Sequence, residues 1–189
     1  MIAIIDYEIT KSECYELIGM GSKNMSKAHT LGKNIANDYR TAENSWIFES
    51  SPLIEKIKVL VNQKTGLPIE NQEKIHIVKY NVGGEYKEHH DFFHPDTDYY
   101  EDSMKFGGQR KISCLFYLNE DFEGGETEFP TKKIKITPKT GRMLIWSNLK
   151  TDGSLDYESL HAGLPVISGS KWIAIIWVRE KLNDCGCGK

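Results

Sequence analysis

This 189-residue chain has few cysteines, no long hydrophobic run, no internal repeat and no surplus of basic charge. Each absence excludes something. The four cysteines, Cys14, Cys114, Cys185 and Cys187, are too few for a disulfide framework and are not spaced as paired metal-binding knuckles. Cys14 and Cys114 lie among apolar neighbours and read as buried thiols. The Cys185-Gly186-Cys187 tail reads as a loose terminus, with soft-metal or redox chemistry as the alternative. No stretch is apolar for long enough to cross a bilayer, and Ile2-Ala3-Ile4-Ile5 is too short for a secretory signal. The expectation is a protein that stays where it is made, cytoplasmic by default, with no membrane partner. A net charge of -3 without a Lys/Arg run argues against nucleic acid as a partner.

What is present suits one globular domain: 39% hydrophobic and 27% charged residues, and enough chain to bury a core. Residues 1–72 read as a helical support, 73–180 as a β core and 181–189 as a tail. Met1–Asp6 reads as a first strand. Thr10-Lys11-Ser12-Glu13 is a capping box, and Cys14, Leu17 and Ile18 continue at helical spacing, so a helix is expected from about Thr10 to Gly21. The polar stretch from Ser22 to Ala42 gives no clear period, and part of it could be helical. Residues from Arg40 to Phe48 read as a strand or as a loop into the next element. Ser51-Pro52 opens a second helix with an apolar stripe at Leu53, Ile54, Ile57, Leu60 and Val61, stopped by Gly66 and Pro68.

From Ile75 the period changes to that of strands. Ile75–Tyr80 alternates, Val82–Glu85 marks a turn, and a strand carrying His89 and Asp91 follows. Phe92–Gly108 is a long polar and aromatic insertion, a candidate lid. Further strands are expected at Arg110–Leu118, Glu126–Phe129, Lys133–Ile136, Arg142–Trp146, Glu158–Ala162 and Lys171–Arg179. Many short strands, with helices only at the front, predict a mainly β sandwich or barrel with a helical buttress.

The chemistry concentrates at Tyr86-Lys87-Glu88-His89-His90-Asp91-Phe92. His89 and Asp91, two apart on an extended strand, leave the same face, and His90 leaves the other. A third imidazole from another strand would complete two nitrogens and a carboxylate, the facial set typical of non-haem Fe(II) oxygenases. His161 is either that ligand or a satisfied structural histidine. His29 reads as a surface side chain, His76 as a paired or exposed strand residue, and His94 as lying outside strand geometry. Lys171, ten residues past His161, either reaches solvent at a strand start or points inward among Trp172, Ile173, Ile175 and Trp177, where it needs an anion.

The chain from Ile9 to Glu180 resembles the prolyl 4-hydroxylase family of 2-oxoglutarate and Fe(II)-dependent dioxygenases, in its collagen-type, plant, algal and viral branch. Arg40-Thr41, Thr65-Gly66-Leu67-Pro68 and Glu70-Asn71 carry the first part of that likeness. Tyr80, Gly83-Gly84, Tyr86, His89 and Asp91 follow in order, then Arg110 and Leu115-Phe116-Tyr117-Leu118-Asn119. Gly124-Gly125-Glu126-Thr127, Phe129-Pro130, Gly141, Trp146, His161 and Lys171-Trp172 complete it.

The resemblance implies a double-stranded β-helix (jelly-roll) core with helices packed on one sheet. It implies Fe(II) held by His89, Asp91 and His161, and 2-oxoglutarate anchored by Lys171 and Thr127 in a pocket lined by Tyr80 and Tyr117. Tyr86, Arg110 and Trp177 would border the substrate. The implied reaction consumes O2 and 2-oxoglutarate, yields succinate and CO2, and hydroxylates peptidyl proline at C4 in a proline-rich or collagen-like partner. Ascorbate is the implied reductant. The same chemistry on free proline, lysine or another side chain is the alternative. One departure stands out: many relatives carry a histidine two residues past Trp177, where this chain has Arg179, and that bears on peptide preference. Two rivals are a non-catalytic jelly-roll binding module, which predicts a broken triad or a missing cation, and a zinc hydrolase, which needs a general base and no oxoglutarate pocket.

Overall fold

A computed structural model of the protein describes residues 1–28 and 39–183. His29 and the Cys185/Cys187 tail lie outside the described residues, as does the middle, 29–38, of the polar stretch whose structure the sequence left open. Elements are numbered in chain order.

Two antiparallel sheets face each other in a jelly-roll. The larger has seven strands in the order β1 (Ile2–Ile5), β10 (Met143–Ser147), β6 (Arg110–Tyr117), β13 (Lys171–Arg179), β4 (Ile75–Tyr80), β3 (Glu43–Ile47) and β2 (Ser26–Lys27). The smaller has four, β5 (Tyr86–His89), β11 (His161–Gly163), β8 (Thr127–Phe129) and β9 (Ile134–Ile136). A separate pair joins β7 (Glu123–Gly124) to β12 (Val166–Ser168).

Two helices form behind the larger sheet for the reasons legible in their termini. In α1 (Lys11–Ser22), the Thr10 side chain accepts from the Glu13 amide while the Glu13 carboxylate accepts from the Thr10 amide. In α2 (Pro52–Thr65), Ser51 caps the Ile54 amide, Pro52 occupies the first turn, and Gly66 at φ 70° closes the end in a left-handed conformation. Cys14 and Leu17 of α1, with Leu53, Ile54, Ile57 and Val61 of α2, pack on the outer face of the large sheet.

Strand parity divides that sheet cleanly. Ile112, Cys114, Phe116, Ala174, Ile176, Val178, Ile75 and Ile77 meet the helices. Their alternates Leu115, Tyr117, Ile173, Ile175, Trp177, Val78 and Tyr80 turn inward toward the small sheet. Both faces are covered, so β13 reads as a nearly continuous apolar run although its neighbours are antiparallel. A fully buried side chain such as Ile57 stabilises the fold by about 1.5–3 kcal/mol.

The structure corrects several sequence expectations. The β5 strand ends at His89, so Asp91 stands just beyond it rather than on it. Residues 158–159 belong to a 3-10 turn, Tyr157–Ser159, and β11 starts only at His161. Helices are not confined to the front: α3 (Tyr100–Met104) lies inside the 92–108 insertion. The short strands β2, β7 and β12 carry too few residues to show a period, which is why the pattern missed them. Among the described residues no helix is long and apolar enough to cross a membrane.

Candidate active site

Antiparallel register builds the centre of the site. Pairing of β11 with β5 sets His161 directly opposite His89. Asp91 enters from the chain just past β5, and the ligating atoms of the three residues lie within 4.8 Å of one another. Each carboxylate oxygen faces one imidazole: Oδ1 is 3.8 Å from His89 Nε2, and Oδ2 is 3.8 Å from His161 Nε2. Behind the rings, His89 Nδ1 meets Lys87 O at 2.7 Å and His161 Nδ1 meets Ser159 O at 2.9 Å. A carbonyl can only accept, so each Nδ1 carries a proton and each Nε2 is the ring nitrogen left on the Asp91 side. This donor set fits a divalent metal such as iron, with room for further ligands.

Burial and neighbouring groups shift His89 and Asp91 from their ordinary values. Burial, reinforced by the neighbouring His161, holds His89 well below the usual histidine range, so it is neutral. Burial pushes the Asp91 carboxyl up, but His161, His89, Arg110 and the Ser113 hydroxyl together outweigh that and leave it below its ordinary value. Ser113 Oγ donates to Asp91 Oδ2 at 2.6 Å, and Asn148 Nδ2 donates to Ser113 Oγ at 2.9 Å. The sequence reading missed both residues. Ser113 had a signal, since it is a small polar side chain sharing parity with Leu115 and Tyr117 on β6. Asn148, just past β10, had none.

The triad opens into a cleft of about 810 Å³. Its deep end holds Lys171, whose β13 position pairs with Tyr80 on β4. Lys171 is 2% exposed. Its Nζ donates to Gly125 O at 2.6 Å and lies 5.2 Å and 5.7 Å from the rings of Tyr80 and Tyr117. No carboxylate among the described residues forms an ion pair with it, and burial pushes its pKa down to about 7 against a weaker opposing effect of Glu126. A buried ammonium without an anion is the observation that fits a carboxylate-bearing cosubstrate here. Thr127 lines the same end, and because Tyr117 OH donates to Thr127 Oγ1 at 2.6 Å, the threonine hydroxyl proton remains for a ligand. Tyr80 lines the cleft, whereas Tyr117 is fully buried and stands behind Thr127, not in the lining.

Tyr86 stacks on His89 with ring centres 3.5 Å apart, and the Arg40 guanidinium lies 4.7 Å from the Tyr86 ring centre. Arg110 and Trp177 also line the cleft, the guanidinium 3.7 Å from the indole centre. His76, read as paired or exposed, is the former: it pairs with Asn44 Nδ2 at 2.7 Å and is 2% exposed, stacked on Trp46 in the cleft wall. His90 turns to Tyr157 O at 3.1 Å and packs with Phe92 and His94 instead of joining the triad, and His94 stays in that aromatic group.

Comparison with known proteins agrees with this geometry. A family model described as the 2OG-Fe(II) oxygenase superfamily matches residues 75–179. The chain is 31% identical over 94% of its length to a putative prolyl 4-hydroxylase of Acanthamoeba polyphaga mimivirus, covering 74% of that protein. It is 32% identical over 89% of its length to probable prolyl 4-hydroxylase 8 of Arabidopsis thaliana, of which it covers 65%. The solved structure of a viral collagen prolyl hydroxylase from Paramecium Bursaria Chlorella virus-1, in complex with 2OG, superposes with a TM-score of 0.74 at 31% identity, over 94% of this chain and 95% of that one.

Proposed function

The chain belongs to the 2OG-Fe(II) oxygenase superfamily, and on that premise we propose that it hydroxylates peptidyl proline at C4 in a proline-rich or collagen-like substrate. The enzyme is an oxidoreductase that uses Fe(II), 2-oxoglutarate and O2. When bound, the iron couples oxidative decarboxylation of 2-oxoglutarate, to succinate and CO2, with insertion of one oxygen atom into a C–H bond. His89, Asp91 and His161 would hold it, with Ser113 and the carbonyls of Lys87 and Ser159 fixing their orientation.

The observation that carries the reading is the buried Lys171 cation in the same cleft as the triad. Lys171 and Thr127 would take the far carboxylate of 2-oxoglutarate, with Tyr80 walling the pocket and Tyr117 holding Thr127 in place. The aromatic wall beyond the triad, Tyr86 and Trp177 with the Arg110 guanidinium against the indole, suits a proline ring, which packs on aromatic faces, and a peptide carbonyl, which accepts from a guanidinium. Phe92 and Phe93, both buried, keep water from the triad on the insertion side. The protein's contribution is therefore to bind, orient and dry the reactants, with no side-chain nucleophile needed.

The test is mass spectrometry on a panel of collagen-like, proline-rich, lysine-containing and proline-free peptides, with free proline alongside, incubated with Fe(II), ascorbate and 2-oxoglutarate. The expected product is a proline-containing peptide heavier by one oxygen atom, with 4-hydroxyproline found on hydrolysis and succinate formed in equal amount. Succinate without any hydroxylated proline, or oxidation confined to lysine, would overturn the proline assignment.

A further inference from the structure

Arg179 ends β13 where its ladder with β6 slips register, and it is 7% exposed. It does not line the cleft. Its Nε lies 2.5 Å from Glu73 Oε1, and its Nη1 donates to two carbonyls of the 92–108 insertion, Ser103 O at 3.1 Å and Gly108 O at 2.6 Å. The same Glu73 carboxylate takes Arg110 in a two-point grip, Nε to Oε1 at 2.7 Å and Nη2 to Oε2 at 2.8 Å. Phe93 lies beneath both guanidiniums, 4.6 Å from Arg179 and 5.1 Å from Arg110. Gln109 holds the Phe93 backbone from the other side, accepting from its N–H at 2.6 Å and donating to its carbonyl at 2.8 Å.

Two guanidiniums share one carboxylate and keep donors to spare, which call for further acceptors. The insertion supplies them to Arg179 through Ser103 and Gly108. Arg110 Nη1 has no acceptor among the described residues, and Arg110 lines the cleft. Only a planar, multi-donor guanidinium can meet a carboxylate and two separate carbonyls at once; a lysine ammonium cannot span them.

We propose that Arg179 is a positioning residue: through Glu73 it sets the Arg110 guanidinium in the cleft, and through Ser103 and Gly108 it fastens the 92–108 insertion to that same charge cluster. The side chain that sets substrate engagement at Arg110 is then the one that holds the insertion beside it. This rests on the reading of the cleft as a peptide site. It gives Arg179 a part in peptide preference without contact to the peptide.

The test compares Arg179→Lys, which keeps the charge opposite Glu73 but loses the fork, with Gln109→Ala, which frees Phe93 and leaves the charges alone. Amide hydrogen exchange is read across residues 94–106 and across β6 and β13, together with 2-oxoglutarate affinity and peptide kinetics. For Arg179→Lys, exchange should rise in 94–106 and stay unchanged in β6 and β13. Peptide KM should rise roughly tenfold or more, the scale of a lost charge-assisted hydrogen bond, with 2-oxoglutarate affinity unchanged. For Gln109→Ala, exchange should rise while peptide KM moves much less. Unchanged exchange and KM in Arg179→Lys, faster exchange spread through the core strands, or equal KM rises in both variants would each overturn the proposal. The exchange readout needs no substrate, so a wrong peptide assignment would appear separately, as a wild-type protein that hydroxylates no peptide while the exchange pattern holds.

Discussion

Substituting Lys171 by methionine should stabilise the ligand-free fold while weakening its hold on 2-oxoglutarate. The lysine is 2% exposed with a carbonyl as its hydrogen-bond partner, and burial takes its pKa from 10.5 to about 7. A displacement of that size corresponds to a penalty on the order of 5 kcal/mol against the protonated form. The unfolded chain keeps this proton up to about 10.5, whereas the folded chain releases it near 7. Between those values the unfolded state binds more protons, so stability rises with pH. The penalty is fully present below the folded value and absent above the unfolded one. Methionine removes it. The gain in Tm should therefore be largest near about pH 6 and shrink toward about pH 10, at roughly 2–4 °C for each kcal/mol. Cosubstrate binding should move the other way. Losing one partner of a buried charge pair costs about 3–5 kcal/mol, which is roughly two to four orders of magnitude in affinity. Thermal scans across this pH range and calorimetric titration with 2-oxoglutarate read both effects. A Tm difference that does not change with pH, or an affinity within a few-fold of wild type, would refute the reasoning.

Three other substitutions probe separate parts of the structure. Ser113→Ala removes the donor at 2.6 Å from Asp91 Oδ2 and should lower Fe(II) affinity about 10- to 100-fold while leaving far-ultraviolet circular dichroism unchanged. Gly125→Ala places a Cβ at φ +66° and 3.0 Å from Lys171 Cδ; it should cost about 1–2 kcal/mol in backbone strain and raise the KM for 2-oxoglutarate more than the peptide KM. Thr10→Ala removes the α1 cap far from the cleft and should cost about 1 kcal/mol, visible as a lower Tm with unaltered turnover.

Much of the fold follows from local rules that act within a few residues. The caps at Thr10 and Ser51 and the terminator at Gly66 set helix ends that the structure reproduces to within a residue. Parity on β4, β6 and β13 is equally local, and it sends Tyr80, Ser113, Lys171 and Trp177 to one face. The triad was partly legible for the same reason: a two-residue spacing keeps His89 and Asp91 on one side even though the strand stops between them. What the sequence could not show depends on long-range pairing. The pairing of His161 with His89 joins positions 72 residues apart in the chain, and nothing local encodes it. Asn148 reaches Asp91 only through Ser113, and Glu73 matters only because Arg110 and Arg179 converge on it. The burial of His76 was not legible because its cover, Trp46, comes from another strand.

The central claim is that the iron ligands and the cosubstrate anchor are separate parts of one cleft. Its most direct test is anaerobic equilibrium binding of Fe(II) and then 2-oxoglutarate to the wild type, Asp91→Ala and Lys171→Ala. The account predicts one Fe(II) and one 2-oxoglutarate per wild-type chain, loss of Fe(II) binding in Asp91→Ala, and wild-type Fe(II) affinity with lost 2-oxoglutarate binding in Lys171→Ala. Retention of full 2-oxoglutarate affinity by Lys171→Ala, or of full Fe(II) affinity by Asp91→Ala, would contradict it.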